Sequence, residues 1–390
     1  MYRNALKLFV FCFFLLSCES KDNKDLVEVY LSDFVNSSKT DSQVIKDCLC
    51  FVEDYKWKIV HFDVRNLLID EAILLDANTT VLLENCTIKQ LDYTFDNVFR
   101  GNNFIIDQED PYGYPIQINR IENIRIIGDG VSTIIGPDKN RKIDHYVLGE
   151  QEAIGDYYGW RTLQICFSMA SNIEISGINF TKTRCWCISF DKCSYLKLHD
   201  LSIYSDCKNG DGIDIRSGCH HVEVYNITGN TSDDTIALSA VANINKRVYP
   251  DGNKIYPMEP SSFMFSNIGK GDLDIHDVSI YNIRTTGLMH GLILLTANEH
   301  EIYNVEVSDF IEPMGGGKRE SIIKLYTGYG TLSSANRIHD VTLSNIVSCN
   351  AKYTLLCNTK CLNIYVSNLI QHNSFGKLFQ LSDADGFILD

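Results

Sequence analysis

The residues best placed to do chemistry lie in one stretch, Asp206–Ala240, which reads DCKNGDGIDIRSGCHHVEVYNITGNTSDDTIALSA. It carries two acidic clusters: Asn209-Gly210-Asp211 followed by Asp214, and then Asp233-Asp234. Asp211 and Asp233 are 22 residues apart. If one turn of a stacked-strand coil has that length, both acids fall on one face, about 4.8 Å apart in strand spacing plus any lateral offset. Carboxylates crowded on one face repel, and a fold gains nothing from that. The chemistry such a set performs is inverting glycosidic hydrolysis. One carboxylic acid protonates the leaving oxygen and another carboxylate deprotonates a water, the two standing roughly 6.5–9.5 Å apart. β-Elimination would need a Lys or Arg base, usually with calcium. Basic residues are few in this region, so the stretch favours hydrolysis and no metal or other cofactor is expected.

The elements that must position these acids are visible as an internal repeat. A strand of the form Φ-x-Φ-x-(Asn/Asp/Gly)-Φ, where Φ is apolar, recurs with its first apolar residue at Ile124, Ile173, Leu196, Val222, Val278, Val305, Val341 and Ile364. Steps of 23 to 27 residues read as single turns; steps of 49 and 56 read as two turns or one turn with an insertion. Each unit alternates one apolar and one polar face and cannot bury the apolar face alone, whereas stacking buries it. Asn at the bend tolerates left-handed backbone, and its amide can pair with the next rung. A leucine-rich repeat has a similar period but needs a helical return and a Leu signature, both missing here. The architecture expected is therefore all-β: a single-stranded right-handed parallel β-helix. The run Asp41–Val52, with a Ser or Asp cap and helical apolar spacing, is predicted to be a short helix capping the open N-terminal end.

Composition bounds the remainder. Lys plus Arg number 35 against 50 Asp plus Glu, a net charge of −15 that disfavours nucleic acid and long-range attraction of polyanions. Arg3 and Lys7 precede the apolar run Leu8–Leu16, too short to span a bilayer, and Leu15-Leu16-Ser17-Cys18 has the form of a bacterial lipobox. The expectation is a signal peptide over 1–17, lipidation at Cys18, a flexible tether over 18–40 and one β-helix domain over 41–390 with its catalytic turns near 160–330. Such a protein is an exported, outer-membrane or periplasmic lipoprotein of a Gram-negative bacterium, meeting the membrane by its lipid anchor only, and a monomer. The twelve cysteines after Cys18 are expected mainly as buried or stacked thiols. Cys48-Leu-Cys50 and Cys185-Trp-Cys187 have a poor spacing for zinc, and the His220-His221 pair has no third metal partner visible.

NGDGIDI followed by SDDTIAL resembles the polygalacturonases, glycoside hydrolase family 28, over about residues 120–350. The family's signature is Asn-x-Asp, Asp-Asp, Gly-His-Gly, then Arg-Ile-Lys, and its fold is the pectin-lyase-like parallel β-helix. The resemblance implies a pectin-type substrate, galacturonan or rhamnogalacturonan-like. It also implies that Asp233 is the general acid, with Asp211 and Asp234 holding the attacking water. His290, in Gly287-Leu-Met-His-Gly291, matches the third motif with Met289 in place of its first glycine. Lys324 matches the family's Lys, while its Arg becomes Ile322, so the bidentate grip on a uronate is missing unless Arg319 or Arg284 supplies it.

Asn209, Arg216, Trp160 and Arg161 are further candidates for substrate binding. Tyr158-Gly-Trp160-Arg161 and Trp186 offer rings for sugar faces, and Arg216 can either bind substrate or pair with Asp214. The long irregular runs Asp138–Gly159, Val241–Gly271 and Glu312–Glu320 flank the acidic turns as candidate cleft walls. Two other readings use the same scaffold: a polysaccharide lyase or epimerase, and a non-catalytic glycan-binding surface protein.

Overall fold

The computed structural model describes residues 25–107, 115–139, 142–147, 150–153, 160–241, 247–248, 254–255, 258–263, 272–297, 299–328 and 336–390. The chain winds into a coil whose turns build two long parallel sheets, one of 14 strands and one of 10. All eight repeat positions read from the sequence lie opposite one another, Ile124↔Ile173↔Leu196↔Val222↔Val278↔Val305↔Val341↔Ile364. The 49- and 56-residue steps are therefore single turns carrying insertions, because their strands pair directly. In each repeat the Φ residues point inward: Val222, Val224 and Ile227 are buried, as are Val278, Ile280 and Ile283. They join one continuous core with the inward residues of the shorter sheet, such as Ile188, Ile213, Ile236 and Leu292.

The bends carry the expected polar ladder. Asp200, Asn226, Asn282, Asp309, Asn345 and Asn368 all have φ between 50° and 56°. Asn226 Nδ2 donates to Asp200 Oδ1 (2.8 Å), Asn282 Nδ2 to Asn226 Oδ1 (2.5 Å) and Asn368 Nδ2 to Asn345 Oδ1 (3.1 Å). A second ladder lies one residue before the repeat position, with Asn123, Asn172, Asn304 and Asn363 among its left-handed members.

The N-terminal helix spans Asp41–Val52 and buries Val44, Ile45, Cys48 and Val52 against the first turns. Its cap is Thr40, which forms a capping box with Gln43, rather than the Ser or Asp within the run. The coil begins earlier than residue 41: Leu26–Tyr30 is the first strand of the long sheet, paired with Trp57–Phe62, so the stretch expected as a tether over 18–40 is in part structured. Cys18 and the leader lie outside the described residues, as does Tyr158. The twelve later cysteines are free thiols, nine of them buried. Cys193 and Cys219 stack in successive turns, the Cys193 N–H donating to Cys219 Sγ at 3.3 Å. Among the described residues no helix is long and apolar enough to cross a membrane.

Replacing Asn226 with Ala forces a Cβ-bearing residue without an amide into left-handed backbone and breaks two rung-to-rung bonds. The expected loss is about 2–4 kcal/mol in denaturant unfolding. Asn226→Gly, which keeps the backbone freedom, should lose about half as much. Equal stability of wild type and Asn226→Ala would remove the ladder from the account of the fold.

Candidate active site

The site forms on the shorter sheet, where strands Ile188–Asp191, Ile213–Arg216, Ile236–Ala240, His290–Thr296 and Ser321–Thr327 lie side by side. The sequence set Asp233 one turn from Asp211; the hydrogen bonds align its neighbour instead. Ile213 lies opposite Ile236 and Ile236 opposite Leu292. The Gly212 N–H donates to Asp234 O and the Thr235 N–H to His290 O, both at 2.9 Å, which extends that register past the strand starts. Asp211, Asp234 and His290 thus share one row across three turns, followed by Ser321, which pairs with His290. Asp233 precedes the row by one residue. A second row holds Ser189, Asp214, Ala237, Ile293 and Lys324 in register.

Local sequence explains how Asp211 is held. Asn209 adopts φ 50°, which Asn tolerates. A Cβ on Gly210 would lie 2.2 Å from Ser232 Oγ, and one on Gly212 would lie 2.5 Å from Thr235 O, so only glycine lets successive turns approach here. Ser205 Oγ donates to Gly210 O while accepting from Ser232 N–H (3.0 Å), and Ser232 Oγ donates to Cys207 O, so two serines tie the acidic turns together.

The carboxylates are placed at an electrostatic cost. Asp211 is 6% exposed and one of its oxygens meets no donor among the described residues; Asp214 is fully buried and neither of its oxygens does. Burial, then the neighbouring Asp214, Asp234 and Asp233, push the Asp211 carboxyl well above its usual range. Burial first, with Asp234, Asp233 and Glu259 adding to it against the pull of Arg216, does the same to Asp214. Asp234 is raised to about 8 by burial and by Asp233, although the His290 N–H donates to its Oδ1 at 2.9 Å. Asp233 is also raised, by burial. A cluster of this kind holds protons at neutral pH and parts with them in coupled steps.

His290 is buried and its pKa is lowered to about 3, by burial and then by Lys324 and Arg319, so it is a neutral imidazole. Its Nδ1 lies 2.8 Å from Ser321 Oγ and its backbone orients Asp234. Lys324 binds Asn358 Oδ1 and lies 5.3 Å from the Tyr326 ring centroid; burial lowers its pKa, and Asp234 is among the acids that oppose the shift. Ile322, in the place of the family's Arg, is fully buried.

Other sequence candidates take different places. Trp160 is 1% exposed and packs edge-to-face on Phe104 at 5.0 Å, so no ring face is left for a sugar. Arg161 is held by Asp96 through Nε and Nη2 (3.3 and 3.0 Å). Arg216 pairs with Glu259 rather than Asp214, its Nη2 at 2.6 Å and Nε at 2.8 Å, and stacks over Trp186 at 4.5 Å. Arg319, within the Glu312–Glu320 loop, is buried, donating to Thr235 Oγ1 (3.1 Å) near Glu312, and Arg284 donates to the carbonyls of Ile283 and Asp309 on the long sheet. Neither stands in for the missing cation. Most of the other two candidate walls, 138–159 and 241–271, lies outside the described residues. Two participants were not among the site residues read from the sequence. Asp214 stands there only as part of the first acidic cluster, although the Ile-Asp-Ile-Arg alternation after Gly212 is the signal that turns it out of the core. Glu259 carries no signal, since only folding brings the insertion to Arg216.

This coil, with a row of acids on the face of the shorter sheet, is a parallel β-helix. Residues 75–250, a stretch that includes both acidic clusters, match the model of glycosyl hydrolases family 28. No curated protein matches the chain. Among solved structures it is similar to the exopolygalacturonase of Thermotoga maritima, at 12% identity and a TM-score of 0.51, covering 98% of this chain and 95% of that one. It is likewise similar to the polygalacturonase of Erwinia carotovora ssp. carotovora, at 11% identity and a TM-score of 0.51, covering 96% and 99%. PfbA, a surface adhesin of Streptococcus pneumoniae, shares the fold at 13% identity and a TM-score of 0.55, covering 93% and 83%. At these identities the likeness is one of fold, which serves hydrolases and an adhesin alike.

The raised pKa values carry a sign. A carboxyl that binds its proton more tightly folded than unfolded contributes stability that is complete below about pH 4. That contribution drains away as pH rises toward the folded value, which for Asp234 is about 8. Asp214→Asn removes one such group. Its melting temperature should equal that of wild type at pH 4 and exceed it by roughly 2–6 °C at pH 8. A variant less stable at pH 8 than at pH 4, relative to wild type, would show that Asp214 is held ionised.

Proposed function

We propose that this protein is a glycoside hydrolase that cleaves an oligo- or polysaccharide of the pectin type with inversion. The observation that carries the reading is the row Asp211–Asp234–His290, with Asp233 beside it and Lys324 in the adjoining row. Asp211 and Asp234, side by side on successive turns, hold the attacking water, and the one of them that has released its proton in the coupled titration of the cluster accepts the water's. Asp233, one residue off the row, gives a proton to the leaving oxygen; burial raises its pKa, as an acid that must donate near neutrality requires. His290 positions Asp234 through its N–H, and Lys324 meets an acidic or hydroxyl group of the sugar.

The cations near the acids differ in availability: Arg216 is neutralised by Glu259 and Arg319 is buried, which leaves Lys324 as the charged contact. Exposed Leu288 and Met289 stand just before His290. These features support a substrate less uniformly anionic than galacturonan, such as one in which neutral sugars alternate with uronates. The leader Arg3–Cys18 supports export and anchoring through a lipid on Cys18.

The test is turnover of defined pectic oligosaccharides with reducing-end detection. Asp233→Asn should lower kcat by about 10²–10⁴-fold and leave substrate affinity nearly unchanged. Lys324→Ala should raise KM on a uronate-containing substrate by about tenfold or more, with little change on a neutral one. Undiminished hydrolysis by Asp233→Asn removes that residue from the acid role. Products absorbing in the ultraviolet, in place of new reducing ends alone, would make the protein a lyase.

A further inference from the structure

On the outside of the coil, at the bend from the Ile213–Arg216 strand into the His220–Thr231 strand, three imidazoles and a carboxylate converge. His220 stacks on His276, His276 on Tyr303 and Tyr303 on His339, with centroids 5.0, 5.0 and 5.2 Å apart. One residue along, His221 and Asp277 occupy the second left-handed ladder, at φ 55° and 56°. Their side chains close on the stack. His220 Nδ1 lies 2.8 Å from His221 Nδ1, His276 Nδ1 lies 2.8 Å from Asp277 Oδ2, and His221 Nδ1 lies 3.7 Å from the same oxygen. Asp277 Oδ1 accepts from Asn304 Nδ2 at 3.1 Å, which fixes the carboxylate.

Part of this cluster is ordinary for the fold. His199–Asp200 and His339–Asp340 make the same neighbour contact as His276–Asp277, at 2.6 and 2.7 Å. The stacked rings present edges rather than faces, so the stack makes no platform for a sugar. What sets this rung apart is His221. At the equivalent position Asn123 and Asn172 continue the ladder amide to amide, at 2.6 Å, and Tyr195, Asn304, Asp340 and Asn363 also hold left-handed backbone, so the fold does not ask for a histidine. A histidine there brings two ring nitrogens face to face at a separation that admits a single proton between them. A cation would satisfy the lone pairs that this arrangement points together.

The spacing suits one. Zinc held at about 2.0–2.1 Å from each ligand in a tetrahedron sets the ligand atoms about 3.3 Å apart. Among the three ligands the contacts of 2.8 and 3.7 Å bracket that value, and the donor atoms of His221, His276 and Asp277 all lie within 4.8 Å of one another. We propose that His221, His276 and Asp277 form a site for a divalent transition metal of the zinc type, with His220 adjoining its open position. Two imidazoles and a carboxylate match the preference of zinc, and Asn304 supplies the outer hydrogen bond that orients a ligating carboxylate. The site joins the two turns separated by the 56-residue step and lies on the outward face of the long sheet, while the acids lie on the shorter one. Its role is to cross-link turns rather than to take part in the cleft.

The experiment is calorimetric titration of the full chain, made without a histidine tag, with Zn²⁺ alone. Wild type is compared with His221→Asn and Asp277→Asn. Asn holds this left-handed ladder position at Asn123, Asn172, Asn304 and Asn363, so both variants keep the backbone, and melting in EDTA checks that they fold as wild type does. The expected result is one zinc per wild-type chain and binding at least tenfold weaker in each variant. Wild type that takes up no zinc at micromolar concentration, or either variant binding as tightly as wild type, overturns the site.

Discussion

Everything in this molecule depends on the parallel register between successive turns. Once one turn hydrogen-bonds to the next without slippage, every side chain has a fixed neighbour about 4.8 Å above and below it. A slip of one residue would send each inward Ile, Leu or Val to the outside. The apolar core enforces the register from within, and the Asn and Asp ladders enforce it at the bends, where amides bond rung to rung. Insertions are tolerated because they leave and rejoin the coil between strands: the 56-residue step keeps His220 through Thr231 paired with His276 through Gly287.

The same constraint concentrates charge. Two carboxylates on adjacent rungs, both ionised, would repel by about 3 kcal/mol at an effective dielectric constant of 20. Burial adds to that cost, since Asp214 and one oxygen of Asp211 find no donor among the described residues. The cluster lowers the cost by keeping protons, and acids that keep protons near neutrality are what glycosidic cleavage draws on. Stability and chemistry pull in opposite directions here, and a large apolar core offsets the difference.

Cations near the cleft are mostly spoken for. Glu259 takes Arg216, Asp96 takes Arg161, and Arg319 supports the turn from beneath, close to Glu312. Lys324 hydrogen-bonds a neutral partner, Asn358, and so keeps its charge. The distribution of counter-ions, more than the number of Lys and Arg, sets the charge around the row of acids.

The coil itself was legible in the amino-acid sequence, because its determinants are local and periodic. The eight apolar positions, the Asn, Asp or Gly at each bend and the two acidic clusters are all marked in the sequence, and each of the eight positions stacks on the next. Spacing alone, however, set Asp233 rather than Asp234 opposite Asp211, since a one-residue shift in turn length leaves no trace in composition. It also left Trp160 and Arg161 as sugar contacts, since aromatic and cationic residues look alike whether exposed or enclosed. Folding decided what depends on contacts between distant segments: Glu259 reaching Arg216, Phe104 covering Trp160, and His276 with Asp277 meeting a histidine pair more than 50 residues earlier. Periodicity determines which face a residue takes; only the closed coil determines what stands opposite it.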